Sequence, residues 1–232
     1  MRRIGRAIAV AATALAATFG TAAAAGAAAC GPSGYSYAGV FSAARGHGVG
    51  ATLTALAAPE VESGHIGAWV GIGGVGLGPD GTDMWLQVGL AAFPGTTARI
   101  YYEVTLPGER PRYVEVAADV PTGAPQRLAV LEMRGRTDTW RVWVNGDPVS
   151  EPIVLPGSSG AFAPIATAES WDGGRPACNR YAFGFERVTV AARPGGRWRT
   201  LAPGSVLEDD GYAVERGRTP ASFVATMATP LA

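Results

Sequence analysis

Hydrophobic residues recur at every second position in short stretches along most of the chain, and a period of two predicts strands. In Met84-Trp-Leu-Gln-Val-Gly-Leu90, the side chains of Met84, Leu86, Val88 and Leu90 share one face. Trp85, Gln87 and Gly89 take the other. In residues 98–106, Ile100, Tyr102, Val104 and Leu106 face one way, and Arg99, Tyr101, Glu103 and Thr105 face the other. In residues 165–171, Ile165, Thr167, Glu169 and Trp171 alternate with Ala166, Ala168 and Ser170. Glu169, flanked by bulky neighbours, is expected to be partly buried. Gly67-Ala-Trp-Val-Gly-Ile-Gly-Gly74 reads as a strand joined to 84–90 by the Gly/Pro-rich loop 75–83. An apolar back and a front of aromatic, amide and glycine suggest a sheet whose front binds something.

Further strands are expected at 36–41, 50–56, 113–117, 126–133, 139–144, 149–155, 164–171 and 181–191. Asn145-Gly146 marks a tight hairpin, because both residues tolerate positive φ. No stretch of the mature chain shows helical periodicity. A dozen short strands with turn signals at intervals of about ten residues predict an all-β fold, a sandwich or a barrel. No repeat or linker divides residues 30–193, which are expected to form one β-sandwich domain. The polar, Pro/Gly-punctuated extension 194–232 is expected to add edge strands near 212–214 and 222–227, or to lie partly loose.

The N-terminus changes the picture. Arg2, Arg3 and Arg6 precede an Ala-rich apolar run that ends in small residues. This is the pattern of a signal peptide over residues 1–29, so the protein is expected to be secreted and extracellular, with no membrane span after cleavage. Ala27-Ala-Ala-Cys30 lacks the large apolar residue of a lipidation box. The chain has two cysteines, Cys30 and Cys178. In an exported protein a Cys30–Cys178 disulfide is the default, against two free or separately buried thiols. The formal net charge is zero. That favours neither nucleic acid nor an anionic membrane as partner.

Most familiar chemistries fail on inspection. The two histidines, His47 and His65, have no metal-ligand spacing, and no metal or other cofactor is expected. No Gly-x-Ser-x-Gly elbow appears, and Gly157-Ser-Ser-Gly160 reads as a turn. Gly71-Ile-Gly-Gly-Val-Gly76 is not followed by a helix, so a dinucleotide loop is excluded. His65 reads as an ordinary exposed or capping residue. What remains is carboxylates and amides on strand faces: Gln87, Glu103 and Glu169.

The order of these segments resembles the glutamic peptidases, the eqolisin family. Trp69-Val-Gly-Ile-Gly-Gly74 is similar to that family's Trp-Val-Gly-Ile-Asp-Gly, and Leu86-Gln-Val-Gly89 to its Leu-Gln-Thr-Gly. Tyr101-Tyr-Glu-Val104 is similar to its Trp-Tyr-Glu-Trp, and Ala168-Glu-Ser-Trp171 to its Ala-Glu-Trp. Tyr181–Val190 fits its closing strand. The chain departs from the motifs at Gly73, which replaces an acidic residue, at Tyr101 and Val104, which replace aromatics, and at Ser170, which is inserted. The resemblance implies a two-sheet antiparallel, concanavalin A-like (lectin-like jelly-roll) sandwich. It implies a catalytic pair, Gln87 and Glu169, with Trp69, Trp85, Tyr101, Glu103 and Trp171 lining the substrate cleft. The expected activity is acid endopeptidase action on a polypeptide by direct water attack, by a monomer. The alternative is a non-catalytic lectin-like module that binds a carbohydrate or a surface through the same face; an exported structural protein is the third reading.

Overall fold

The computed structural model describes residues 33–227. The expected signal segment and Cys30 lie outside the described residues, so the Cys30–Cys178 pairing does too; among the described residues no cysteine is free. The elements, in chain order, are β1 (Tyr35–Ser42), β2 (Gly48–Ala55), β3 (His65–Gly74), β4 (Met84–Ala92), β5 (Ala98–Thr105) and β6 (Arg112–Val120). Then come β7 (Gln126–Glu132), β8 (Thr139–Val144), β9 (Asp147–Pro148), β10 (Ile153–Val154), β11 (Ile165–Trp171) and β12 (Ala182–Arg193). The last four are β13 (Gly196–Thr200), β14 (Pro203–Glu208), β15 (Tyr212–Arg216) and β16 (Phe223–Met227). Among the described residues the one helical element is a 3₁₀ turn at Pro79–Gly81, inside the β3–β4 loop.

All of the strand pairs are antiparallel, and they build two sheets. A seven-stranded sheet has the order β14-β1-β11-β3-β4-β5-β6. A nine-stranded sheet has the order β10-β8-β7-β2-β12-β16-β15, with β13 added to β12 and β9 to β8. The sandwich expected from the sequence is therefore the fold. Between the layers, Ile66, Ala68, Val70 and Ile72 of β3 and Leu86, Val88 and Leu90 of β4 join one core with Val49 and Leu53 of β2, Leu128 and Val130 of β7, and Phe183 and Phe185 of β12. Fully burying each of the larger aliphatic side chains contributes about 1.5–3 kcal/mol. Trp140 of β8 is completely enclosed, and its indole N–H donates to Ser158 Oγ at 2.7 Å, so the polar atom carried into the core is satisfied.

The alternation in β3 and β4 sends the opposite side chains outward. On β3 these are His65, Gly67, Trp69, Gly71 and Gly73; on β4 they are Trp85, Gln87, Gly89 and Ala91. This outward face is the front face of the seven-stranded sheet.

Asn145 and Gly146 have φ of 55° and 104°, and Val144 pairs with Asp147 across them, the two-residue hairpin expected there. Of the strand expected at 149–155 only β10 (Ile153–Val154) forms, and the short β9 (Asp147–Pro148) precedes it. Val149 N–H still donates to the Val142 carbonyl at 2.9 Å, but the Val142 N–H goes to Ser150 Oγ at 3.0 Å and Pro152 has no N–H to give, so the ladder is interrupted before β10. Residues 196–227 form four strands. β14 edges the front sheet beside β1, while β15 and β16 cross to the other sheet.

Candidate active site

Strand β3 runs through the middle of the site, and its glycines decide what can gather over it. Glu169 of β11 pairs with Gly67, and Gln87 of β4 pairs with Gly71. The carboxylate and the amide therefore lie on either side of β3, diagonally, with Trp69 between the two glycines. A Cβ at Gly71 would come within 2.8 Å of the Leu86 carbonyl oxygen and 2.9 Å of Gln87 Cβ, so only glycine allows this approach of β4. A Cβ at Gly67 would meet Glu169 Oε1 at 3.3 Å and Tyr101 Oη at 3.4 Å. The bare backbone of Gly67 is thus the floor beneath the Glu169 carboxylate and the Tyr101 hydroxyl.

Gln87 donates from Nε2 to Tyr101 Oη at 3.0 Å. An amide, a phenol and a carboxylate follow one another across the sheet. Gln87 and Glu169 are each 7% exposed, and Tyr101 is 3% exposed. Glu103 pairs with Gln87 across β4 and β5, and its Oε1 accepts from Trp85 Nε1 at 2.9 Å. The five aromatic and acidic residues expected to line the site, Trp69, Trp85, Tyr101, Glu103 and Trp171, share the front face with the Gln87–Glu169 pair. The indole N–H of Trp69 is buried with no acceptor among the described residues.

His65 stands closer to the chemistry than the sequence suggested. Its Nε2 lies 3.6 Å from Glu169 Oε1, an ion pair once the ring is protonated. Tyr35, Phe93 and Trp171 surround the ring, with centroids at 5.9, 6.0 and 5.5 Å. The period-two pattern held the signal for it: His65, Gly67 and Trp69 share a face. Tyr37 of β1 pairs with Glu169 on the other side. Tyr113 of β6 stacks on Tyr101 at 5.0 Å. Neither was a sequence candidate.

Ser170, inserted relative to the motif, turns away from this face. Its Oγ accepts from Asn179 Nδ2 at 3.1 Å, and the same amide donates to the Ser63 and Trp171 carbonyls at 2.8 and 3.0 Å. Asn179 is 1% exposed and also accepts from the Glu62 and Ser63 N–H groups. It clamps the end of β11 just beyond Glu169. The other histidine, His47, has its Nδ1 2.6 Å from the buried Glu132 carboxylate of β7. Among the described residues, no three His, Cys, Asp or Glu side chains group as metal ligands. Two surface hollows, one lined by Pro59, Thr97 and Arg180 and one by Gly50, Trp143 and Trp198, include none of Gln87, Tyr101 and Glu169.

The electrostatics of the face follow from burial and crowded acids. Burial, opposed by the Trp85 hydrogen bond and assisted by the Glu169 charge, holds the Glu103 carboxyl above its ordinary value of 4.5; His65 pulls the other way. Burial is also the main cause that raises Tyr35, Tyr37 and Tyr101, with the Glu169 charge next in each case. Burial pushes Tyr113 up to about 12, with Arg99 opposing. For Glu103 the raised folded-state value means that folding takes up a proton at pH values between the unfolded and the folded pKa. Its contribution to stability is full below the unfolded value and is lost as pH rises through the folded one. Glu103→Gln mimics the protonated form. The melting temperature of this variant, relative to the unmodified protein, is expected to be higher at pH 7 than at pH 3. Calorimetry at the two pH values checks it, and a difference independent of pH would contradict it.

Fold and site together define a class: an all-β, two-sheet sandwich with an amide–phenol–carboxylate row on its seven-stranded sheet. Solved structures share the architecture. Scytalido-glutamic peptidase with a transition-state analog inhibitor superposes with a TM-score of 0.55 at 16% identity, over 85% of this chain and 100% of that one. The same peptidase with a peptide-based transition-state analog gives a TM-score of 0.54, again at 16% identity and the same coverage. No family model matches the chain, and no curated protein matches it. The chain has a glutamic-peptidase-like fold, at low sequence identity.

Proposed function

We propose that the protein is a secreted, acid-acting endopeptidase that hydrolyses peptide bonds by direct water attack, with Glu169 and Gln87 as its working pair. The observation that carries the reading is the placement of a nearly buried carboxylate and a nearly buried amide on one face, across a strand kept bare by Gly67 and Gly71. The solved structures of this fold that support it are two of one peptidase, each with a transition-state analog.

In this mechanism the Glu169 carboxylate takes a proton from water as the water oxygen attacks the carbonyl carbon. The same proton then goes to the leaving amine. A general base works best when its pKa lies near the working pH, and acid action suits a carboxylate base. Gln87 donates to the developing oxyanion without changing charge. Glu103, Trp85, Trp69 and Trp171 shape the surface along which the polypeptide lies.

Incubation of the mature protein with a denatured protein substrate from pH 2 to 7, with passage over polysaccharide resins in parallel, separates this reading from a lectin-like one. New peptide termini in acid support the peptidase. An intact substrate at every pH, with retention on a resin that Trp85→Ala or Trp171→Ala abolishes, supports the carbohydrate-binding module.

Export by residues 1–29 and the Cys30–Cys178 disulfide belong to the same proposal. The bridge would tie the start of the mature chain to the segment after β11 and close a long loop, the arrangement in which a disulfide restricts the unfolded chain most. Non-reducing peptide mapping of secreted protein is expected to recover residues 30 and 178 in one linked peptide. Recovery of both as free thiols would contradict it.

A further inference from the structure

Tyr101 is built into the site more tightly than a substrate-lining residue needs to be. Its ring is enclosed and stacks on Tyr113 at 5.0 Å with an interplanar angle of 14°. Its oxygen accepts the Gln87 amide proton at 3.0 Å. Among the described residues, its own proton has no protein acceptor. A phenol O–H rotates to suit its partner. The hydroxyl sits over Gly67 beside Glu169 Oε1, where Gly67 leaves no side chain between them. The motif that this segment resembles carries tryptophan at this position, so the hydroxyl is this chain's own.

We infer that the Tyr101 hydroxyl is a catalytic residue, a second hydrogen-bond donor to the oxyanion beside the Gln87 amide. The inference rests on the peptidase reading and adds a third member to its site. Gln87 has two N–H groups, one committed to Tyr101 Oη and one left for substrate. Accepting the Gln87 bond polarises the phenol and makes its O–H a better donor, since hydrogen bonds in a chain strengthen one another. Burial and the charges of Glu169 and Glu103 hold the phenol well above its ordinary value, so it keeps its proton throughout acid and neutral pH.

The step balances without any further reagent. Water oxygen forms a bond to the carbonyl carbon while Glu169 takes one water proton. The carbonyl π pair moves onto its oxygen, which accepts from Tyr101 O–H and Gln87 N–H. The pair then returns, the C–N bond breaks with its electrons on nitrogen, and Glu169 delivers its proton to that nitrogen. Tyr101 keeps its proton from start to finish.

Tyr101→Phe removes one oxygen and retains the ring stack. The expected result is a fall in kcat of ~10²–10³. KM should stay within a few fold, the acid pH profile should keep its shape, and affinity for a peptide-based transition-state analog should fall in parallel with kcat. A merely structural role would move the melting temperature and KM together and leave the ratio of analog to substrate affinity unchanged. A variant within threefold of the unmodified kcat overturns the inference while leaving the peptidase reading intact. If the unmodified protein cleaves no peptide, the peptidase reading itself fails. Should Tyr101→Phe not fold, Tyr101→3-fluorotyrosine keeps the shape and strengthens the donor. An altered kcat there supports the inference, and an unchanged kcat overturns it.

Discussion

Gly73→Asp, which restores the acidic residue of the resembled motif, is expected to unfold the protein more easily and to bring no gain in activity. Gly73 has φ of 81°, and a Cβ there would come within 2.1 Å of the Met84 carbonyl oxygen and 2.9 Å of Trp85 Cα. Both neighbours are backbone atoms of the paired strand, so neither can rotate away. Aspartate tolerates the left-handed region better than most residues, so the collision decides the outcome. Strained backbone and overpacking each cost about 1–3 kcal/mol, which puts the combined loss at about 2–6 kcal/mol. With a urea slope of about 1–3 kcal/mol/M, the unfolding midpoint should fall by roughly 0.7 M or more. An unchanged midpoint would show that β3 and β4 approach each other differently. The departure from the motif at Gly73 is thus a demand of the backbone where β3 turns into its loop.

The strands that frame the site were legible because each has one buried face. Leu86 and Val88 went inward and Gln87 outward, as alternation required, and the same rule placed Glu103 and Glu169. β13 and β14 escaped it. Arg197, Trp198, Arg199 and Thr200 are exposed, as are most residues of β14, so neither strand has an apolar face to show in the sequence. They are held by backbone pairing to β12 and β1, which carries no compositional mark. The site divides the same way. Gln87, Glu103 and Glu169 can be read from period and motif. The contact of His65 with Glu169, the bond from Gln87 to Tyr101 and the Asn179 clamp join residues up to 117 positions apart, which the fold brings together.

The largest effect on activity is expected at the pair itself. Glu169→Gln keeps the shape and part of the hydrogen bonding of the side chain but removes the base. General acid–base groups contribute about 10²–10⁴ in rate, and this one handles both proton transfers, so loss near the top of that range is expected. Gln87→Ala removes an oxyanion donor and should cost ~10²–10³. Neither residue belongs to the hydrophobic core, so both variants should fold and should still bind substrate. The double variant should fall little below Glu169→Gln alone, because groups acting on one transition state are not additive.

The central claim is that Glu169 drives peptide hydrolysis in acid. Its most direct test is digestion of a denatured protein from pH 2 to 7 by the unmodified protein and by folded Glu169→Gln, with products identified by mass spectrometry. The account predicts cleavage that peaks in acid for the unmodified protein and is lost by orders of magnitude in the variant. Cleavage by Glu169→Gln at the unmodified rate, or an intact substrate with both proteins at every pH, would contradict it.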